Sequence, residues 1–245
     1  MAVRIAMWSG PRNISTAMMR AFENRPDTSV SDEPLYAHYL DQTGRDHPGQ
    51  DEILRRCETD WRKVAAHLTG PIPGSRQIWY QKHMAQHLLP EIDRDWLADF
   101  KHAFLIREPE AMLTSFIKNV PDATAPDTGF PQQVELVRWL EETGATTPPI
   151  LDARDVLLDP RGMLAALCDR LEIPFDANAM LAWPVGPRET DGVWAKHWYD
   201  AVEKSTGFQP YREKDERVPP ALEGLLAECR ALYTELYERR LAPPG

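Results

Sequence analysis

Five short apolar runs recur along the chain, separated by stretches in which apolar residues return at helical spacing. The first, residues 2–7, predicts a strand. Met18, Met19, Ala21 and Phe22 follow it at helical intervals after a short polar connection, Ser9-Gly10-Pro11-Arg12-Asn13-Ile14-Ser15-Thr16. Residues 28–33 form a second, weaker strand, and Pro34 forces an extended or turn conformation on Glu33 at its end. Residues 43–50, rich in Gly, Asp and Pro, predict a loop. Residues 51–68 predict one helix carrying Ile53, Leu54, Cys57, Trp61, Val64, Ala65 and Leu68 on its apolar side.

The third run, residues 77–81, delivers Lys82 and His83 to its C-terminal end. The fourth, residues 102–107, ends in Arg107 and is followed by Pro109 at a first-helical position. Residues 119–132 hold three prolines, one glycine and two aspartates, and predict a long loop of the kind that serves as a lid or binding segment. A helix over 134–140, a short strand over 149–153 and a helix over 160–171 come next. The tail carries an aromatic segment at 194–199 and a final amphipathic helix over 221–241. Strands alternating with helices predict an α/β protein with a mainly parallel central sheet flanked by helices. In such sheets ligands bind outside the carboxyl ends of the strands, where the first loop, Glu33, His83 and Arg107 all fall.

Composition narrows this picture. A chain of 245 residues with 42% hydrophobic content can bury a sizeable core, and one domain spanning residues 1–245 is expected. Lys and Arg number 28 against 38 for Asp and Glu, a net charge of −10. That field opposes approach to nucleic acid or an anionic membrane, while a local Arg cluster can still hold a small polyanion. The three cysteines, Cys57, Cys168 and Cys229, lack metal-ligand or disulfide spacing, which points to reduced thiols. No segment has the length of a membrane span, and the apolar N-terminal run is too short for a signal peptide. A soluble cytoplasmic protein is expected; oligomeric state is not legible.

The first loop carries the chemistry. A helix that starts there presents unpaired N–H groups and about half a positive charge to its mouth. Arg12, Asn13, Ser15 and Thr16 add donors at the same place. An anion site follows, although Ile14 and Ser15 stand where the common phosphate-loop pattern has its second glycine and its lysine.

Several separated segments resemble the sulfotransferase family. Pro11-Arg12-Asn13-Ile14-Ser15-Thr16-Ala17 is similar to that family's phosphosulfate loop, Pro-Lys-Ser-Gly-Thr-Thr-Trp, with Arg12 in place of its lysine. Arg107-Glu108-Pro109 and Ser115 resemble its 3′-phosphate motif. Lys82-His83-Met84 with Leu88-Leu89-Pro90 is similar to the stretch that carries the catalytic histidine of cytosolic members. Gly192-Val193-Trp194 and His197-Trp198 look like a degraded form of its glycine-rich basic loop, with Arg188 as the basic candidate.

The resemblance implies a nucleotide-kinase-like P-loop fold of three layers. It also implies 3′-phosphoadenosine 5′-phosphosulfate as co-substrate, a small-molecule acceptor bearing a hydroxyl or amine, and no metal. In this scheme Arg12, Asn13, Ser15 and Thr16 hold the phosphosulfate end, Arg12 also stabilising the charge that grows on the leaving group, while Arg107 and Ser115 hold the opposite, 3′-phosphate end and Arg188 belongs to the loop over the nucleotide. His83 takes the acceptor proton, ahead of Glu33. Two residues depart from the family pattern: Ile14 replaces a glycine and Ala17 a tryptophan that stacks on adenine, leaving Trp194 or Trp8 as substitutes. The alternatives are a nucleotide kinase or NTPase, with Asp32 and Asp152 as its metal carboxylates, and a non-catalytic anion-binding protein. A zinc site at His83 and His87 lacks a third ligand.

Overall fold

The computed structural model describes residues 2–144, 147–213 and 215–243. Five strands, β1 (Val3–Ser9), β2 (Thr28–Asp32), β3 (Ile78–Met84), β4 (Lys101–Ile106) and β5 (Ile150–Asp152), pair in the order β2-β3-β1-β4-β5, all parallel. All five expected strands are present.

The helices are α1 (Ser15–Glu23), α2 (Tyr36–Thr43), α3 (Gln50–Arg56), α4 (Trp61–Leu68), α5 (Pro109–Phe116) and α6 (Phe130–Glu142). Then come α7 (Ala153–Leu158), α8 (Pro160–Arg170), α9 (Ala177–Met180), α10 (Ala195–Trp198), α11 (Asp200–Glu203) and α12 (Glu223–Tyr237). No helix among the described residues is long and apolar enough to cross a membrane.

Strand alternation divides the core between the two faces of the sheet. Ile5 and Met7 of β1, with Ile78 and Tyr80 of β3, pack under Met18, Met19 and Phe22 of α1 and Leu164 and Leu167 of α8. Ala6 and Trp8, with Trp79, face α5, α6 and α12 through Met112, Leu113, Val137 and Leu226. Each large apolar side chain removed from water here contributes about 1.5–3 kcal/mol. The ring of Phe22 stacks on Tyr80 at 4.3 Å, which seats α1 over the strand pair that ends in the site.

Two expectations about local structure change. The helix expected over 51–68 is two helices, because Cys57 is extended and Asp60 caps α4 by accepting from the Arg62 N–H at 2.9 Å. An Asp at this point competes for backbone donors and starts a new helix more readily than it continues an old one. The segment 119–132 is not a lid. Thr124 and Asp127 form a reciprocal cap around a short helical turn, satisfying the segment's polar groups so that Ala125, Asp127, Thr128 and Phe130 are buried. It forms a floor beneath the first loop: a Cβ on Gly10 would lie 2.5 Å from the Thr128 carbonyl oxygen, so only glycine allows the approach.

Candidate active site

An open cleft lies across the carboxyl ends of the strands. Its centre is the loop between β1 and α1. No side chain caps α1, and no acidic residue lies in its first turn, so the N–H groups of Ser15, Thr16 and Ala17 face the cleft with the positive end of the helix dipole. Asn13 has a structural share in this. Its Nδ2 donates to the Leu105 carbonyl at 3.0 Å and its Oδ1 accepts from the Ile14 N–H at 2.9 Å, pinning the loop to the end of β4. Arg12 takes a left-handed backbone conformation with φ at 54°, a strained state for a residue with a Cβ and one that clusters at binding sites.

The guanidinium of Arg12 runs toward α5, where its Nε donates to Ser115 Oγ at 3.0 Å. Arg107, at the end of β4, donates to the backbone carbonyl of Arg12. Arg12 and Arg107 are therefore gathered at one end of the cleft, with Ser115 behind Arg12 and off the cleft lining, whereas the sequence pattern places Arg12 and Arg107 at opposite ends of a ligand. Neither arginine forms an ion pair with a carboxylate among the described residues. Burial lowers the pKa of both, and for Arg107 the neighbouring charge of Arg12 adds to it, yet each remains a cation at any ordinary pH.

The other half of the centre is a buried carboxylate–lysine–tyrosine cluster. Lys82 Nζ, at the end of β3, donates to Glu33 Oε1 at 2.5 Å, to Asp32 Oδ1 at 2.9 Å and to Tyr199 Oη at 2.7 Å. Tyr199 in turn donates to Asp32 at 2.8 Å and accepts from Trp194 Nε1 at 3.2 Å. Asp32 Oδ2 also accepts from the Gly192 N–H at 3.0 Å, which draws the 192–199 segment down onto the strand ends. Glu33 sits just past β2 with φ at 41°, left-handed rather than extended. Its N–H donates to the Lys82 carbonyl at 2.9 Å. Burial and the adjacent Asp32 charge raise the Glu33 pKa against the opposing pull of Lys82, while the two carboxylates hold Lys82 firmly as an ammonium.

Three sequence expectations are corrected by placement. His83 is 1% exposed and does not line the cleft. Successive residues on β3 point to opposite faces, so with Lys82 turned toward the site, His83 turns under the sheet and stacks on Trp8 at 4.4 Å. Burial, with the charges of His102 and Lys82, pushes its pKa down to about 3, far too acidic for a base. Arg188 is directed to the carbonyls of Pro184, Gly186 and Pro187, away from the cleft. Neither Trp8 nor Trp194 lines the cleft; both are buried, Trp8 fully and Trp194 against Tyr36.

Lys82, Tyr199, Tyr36, His87 and Trp198 line the cleft without having been assigned to the site from sequence. The first was detectable from strand parity once Tyr80 was placed in the core. Tyr199 carries no signal for this role, because the charged groups it meets, Asp32 and Lys82, are 167 and 117 residues away. The two candidate metal carboxylates are already engaged: Asp32 in the cluster above, and Asp152 by the Tyr233 hydroxyl at 2.8 Å and the Arg154 N–H at 2.8 Å.

The family model described as a sulfotransferase domain matches residues 3–238. Two Arabidopsis thaliana proteins, named branched-chain-amino-acid aminotransferase-like protein 1 and 2, are each 39% identical over 232 residues. That alignment takes in 95% of this chain but 41% of theirs, so the chain spans less than half the length of these relatives. Among solved structures, a sulfotransferase domain from the olefin synthase of Synechococcus PCC 7002 superposes with a TM-score of 0.57 at 18% identity, covering 95% of both chains. A sulfotransferase domain from the curacin biosynthetic pathway gives 0.54 at 16% identity, over 97% of this chain and 98% of that one. Both share the fold.

Proposed function

The chain belongs to the sulfotransferase domain family, and from that premise we propose that it moves a sulfonyl group from 3′-phosphoadenosine 5′-phosphosulfate to a hydroxyl or amine of a small acceptor. The observation that carries this reading is the pair of adjacent arginines, Arg12 and Arg107, without an ion-paired carboxylate at the mouth of an uncapped helix. Two neighbouring cations in a partly dry cleft repel each other, and a bound phosphate dianion offsets that cost.

The donor supplies an activated sulfonyl group: the acceptor oxygen or nitrogen bonds to sulfur, the bond from sulfur to the phosphate oxygen breaks, and the acceptor proton passes to a base. In this scheme Glu33 is that base. Burial makes it more basic than a surface carboxylate, and Lys82 fixes its position. The first-turn N–H groups, with Ser15 and Thr16, hold the 5′-phosphate and the charge that grows on it. Arg107, Ser115 and the guanidinium of Arg12 hold the 3′-phosphate, remote from the chemistry. A kinase reading lacks a free acidic metal partner at either strand end, since Asp32 and Asp152 are both engaged.

Melting scans test the reading without knowledge of the acceptor. Adenosine 3′,5′-bisphosphate at 100 times its dissociation constant should stabilise the protein by about 2.7 kcal/mol, with ATP and magnesium far less effective at equal concentration. Equal stabilisation by ATP favours the kinase reading instead. Arg107→Ala removes a charge-assisted contact of about 1.5–3 kcal/mol and should weaken bisphosphate affinity by about 10- to 100-fold in calorimetry. An unchanged affinity would show that the 3′-phosphate lies elsewhere.

A further inference from the structure

Glu33 is surrounded by groups that its part in the transfer does not use. Two carboxylates share one ammonium, so the cluster carries one negative charge more than Lys82 neutralises. That excess falls unequally. Asp32 accepts from three donors: Lys82 Nζ at 2.9 Å, Tyr199 Oη at 2.8 Å and the Gly192 N–H at 3.0 Å. Glu33 accepts on Oε1 alone, from Lys82 at 2.5 Å, with Tyr199 Oη farther off at 3.4 Å. Its Oε2 takes no hydrogen bond among the described residues, and its side chain is 11% exposed in the cleft against 1% for Asp32.

The hydroxyl of Tyr199 sorts the two carboxylates, because a phenol has one hydrogen to give. Lys82 Nζ at 2.7 Å and Trp194 Nε1 at 3.2 Å are donors only, and both meet the Tyr199 oxygen. The hydrogen therefore goes to a carboxylate, and Asp32 at 2.8 Å is nearer than Glu33 at 3.4 Å. Donors that feed the hydroxyl oxygen strengthen the bond it gives. The other titratable groups around Glu33 do not compete with this arrangement. Burial holds Tyr199, and Tyr36 of α2, as neutral phenols. The two carboxylates, against burial, hold Lys82 charged, and burial keeps His87 and His47 neutral at pH 7. Arg12 and Arg107, at the other end of the cleft, are cations throughout.

Building on Glu33 as the base, we propose that Asp32 and Tyr199 are positioning residues that act on it with opposite signs. Asp32 is a fixed negative charge beside Glu33 that draws Lys82 from it and makes it bind the acceptor proton more strongly. Tyr199, with Trp194 and the Gly192 N–H behind it, spreads the Asp32 charge and frees part of the ammonium for Glu33. The proton leaving the acceptor has one open oxygen to bond to, Glu33 Oε2, and the 192–199 segment sets how tightly it is held there. Residues that only hold the cluster together would shift Glu33 in one direction when removed; opposite shifts mark the tuning.

The test needs no acceptor. The Glu33 carboxyl is followed by carbon-13 NMR of the full chain as pH is lowered from about 8 to the onset of acid unfolding, its resonance assigned by its loss in Glu33→Gln. Asp32→Asn should lower the midpoint by about one pH unit or more, the effect of a neighbouring charge. Tyr199→Phe should raise it by about 0.5–1 unit, the effect of one hydrogen bond. Circular dichroism checks that each variant is folded. Asp32→Ser replaces Asp32→Asn if that variant does not fold, and Trp194→Phe, which removes one donor to Tyr199 and should give a smaller rise, replaces Tyr199→Phe. Shifts of the same sign, or an unmoved midpoint in either arm, overturn the proposal. Glu33→Gln with wild-type turnover overturns instead the base reading beneath it, whatever the titrations give.

Discussion

Glu33→Gln is expected to lower kcat by about 10²- to 10⁴-fold while leaving adenosine 3′,5′-bisphosphate affinity within about threefold of wild type, the range associated with removing a positioned general base. The substitution keeps the shape and the hydrogen bond to Lys82 but removes the only carboxylate of the cluster that lines the cleft. Asp32 stays behind to neutralise Lys82, so the buried ammonium is not orphaned. The pH profile carries the same information. The base must be ionised, so turnover falls as pH drops through the Glu33 pKa, which burial and Asp32 raise above the ordinary carboxylate value. The acid limb should disappear in Glu33→Gln. In His83→Phe it should stay where it is, because His83 lies under the sheet against Trp8. A limb that moves with His83 and not with Glu33 would reverse the assignment.

Stability should fall steeply in mild acid, by about 4 kcal/mol per pH unit near pH 5. Three buried histidines set this slope: His83, held to about 3; His102, held to about 4; and His87, held well below its ordinary value, with burial the leading cause for each. His102 is locked neutral in one tautomer, its Nδ1 accepting from Trp8 Nε1 at 3.1 Å and its Nε2 donating to the Leu97 carbonyl at 3.0 Å. In the unfolded chain all three titrate near 6.5. Their folded-state pKa values are depressed, so the stabilisation is fully present above 6.5 and is lost as pH falls from there toward 3. At pH 5 the unfolded state binds close to three more protons than the folded one, about 1.4 kcal/mol per pH unit for each. Chemical denaturation at pH 7, 6 and 5 measures the slope. His83→Phe should remove about a third of it, and a flat profile down to pH 5 would contradict the neutral burial of these rings.

The parts of the fold that were legible in the sequence are those governed by local periodicity. Continuous apolar runs mark strands that are buried on both faces, and the first loop was recognisable because a strand, a polar turn and an apolar helix face follow one another without interruption. The site was harder because it depends on which way a side chain points. His83 and Lys82 are neighbours at one strand end, and only parity with Tyr80 in the core separates the residue that faces the cleft from the one that does not. Arg12 lies in the loop between β1 and α1, but its left-handed backbone directs the guanidinium to Ser115, a turn that composition does not disclose. The 119–132 segment shows why polar, proline-rich sequence misleads. A capping pair between Thr124 and Asp127 lets it be buried as a floor, and glycine at position 10 makes room for it.

The measurement that bears most directly on the central claim is a crystal structure of the protein with adenosine 3′,5′-bisphosphate. The 5′-phosphate is expected against the N–H groups of Ser15 and Thr16 at the start of α1. The 3′-phosphate is expected within hydrogen-bonding distance of Arg107 and Ser115, with Arg12 turned to the same group. A nucleotide bound elsewhere, or one whose 3′-phosphate makes no contact with Arg107 or Ser115, would contradict the account.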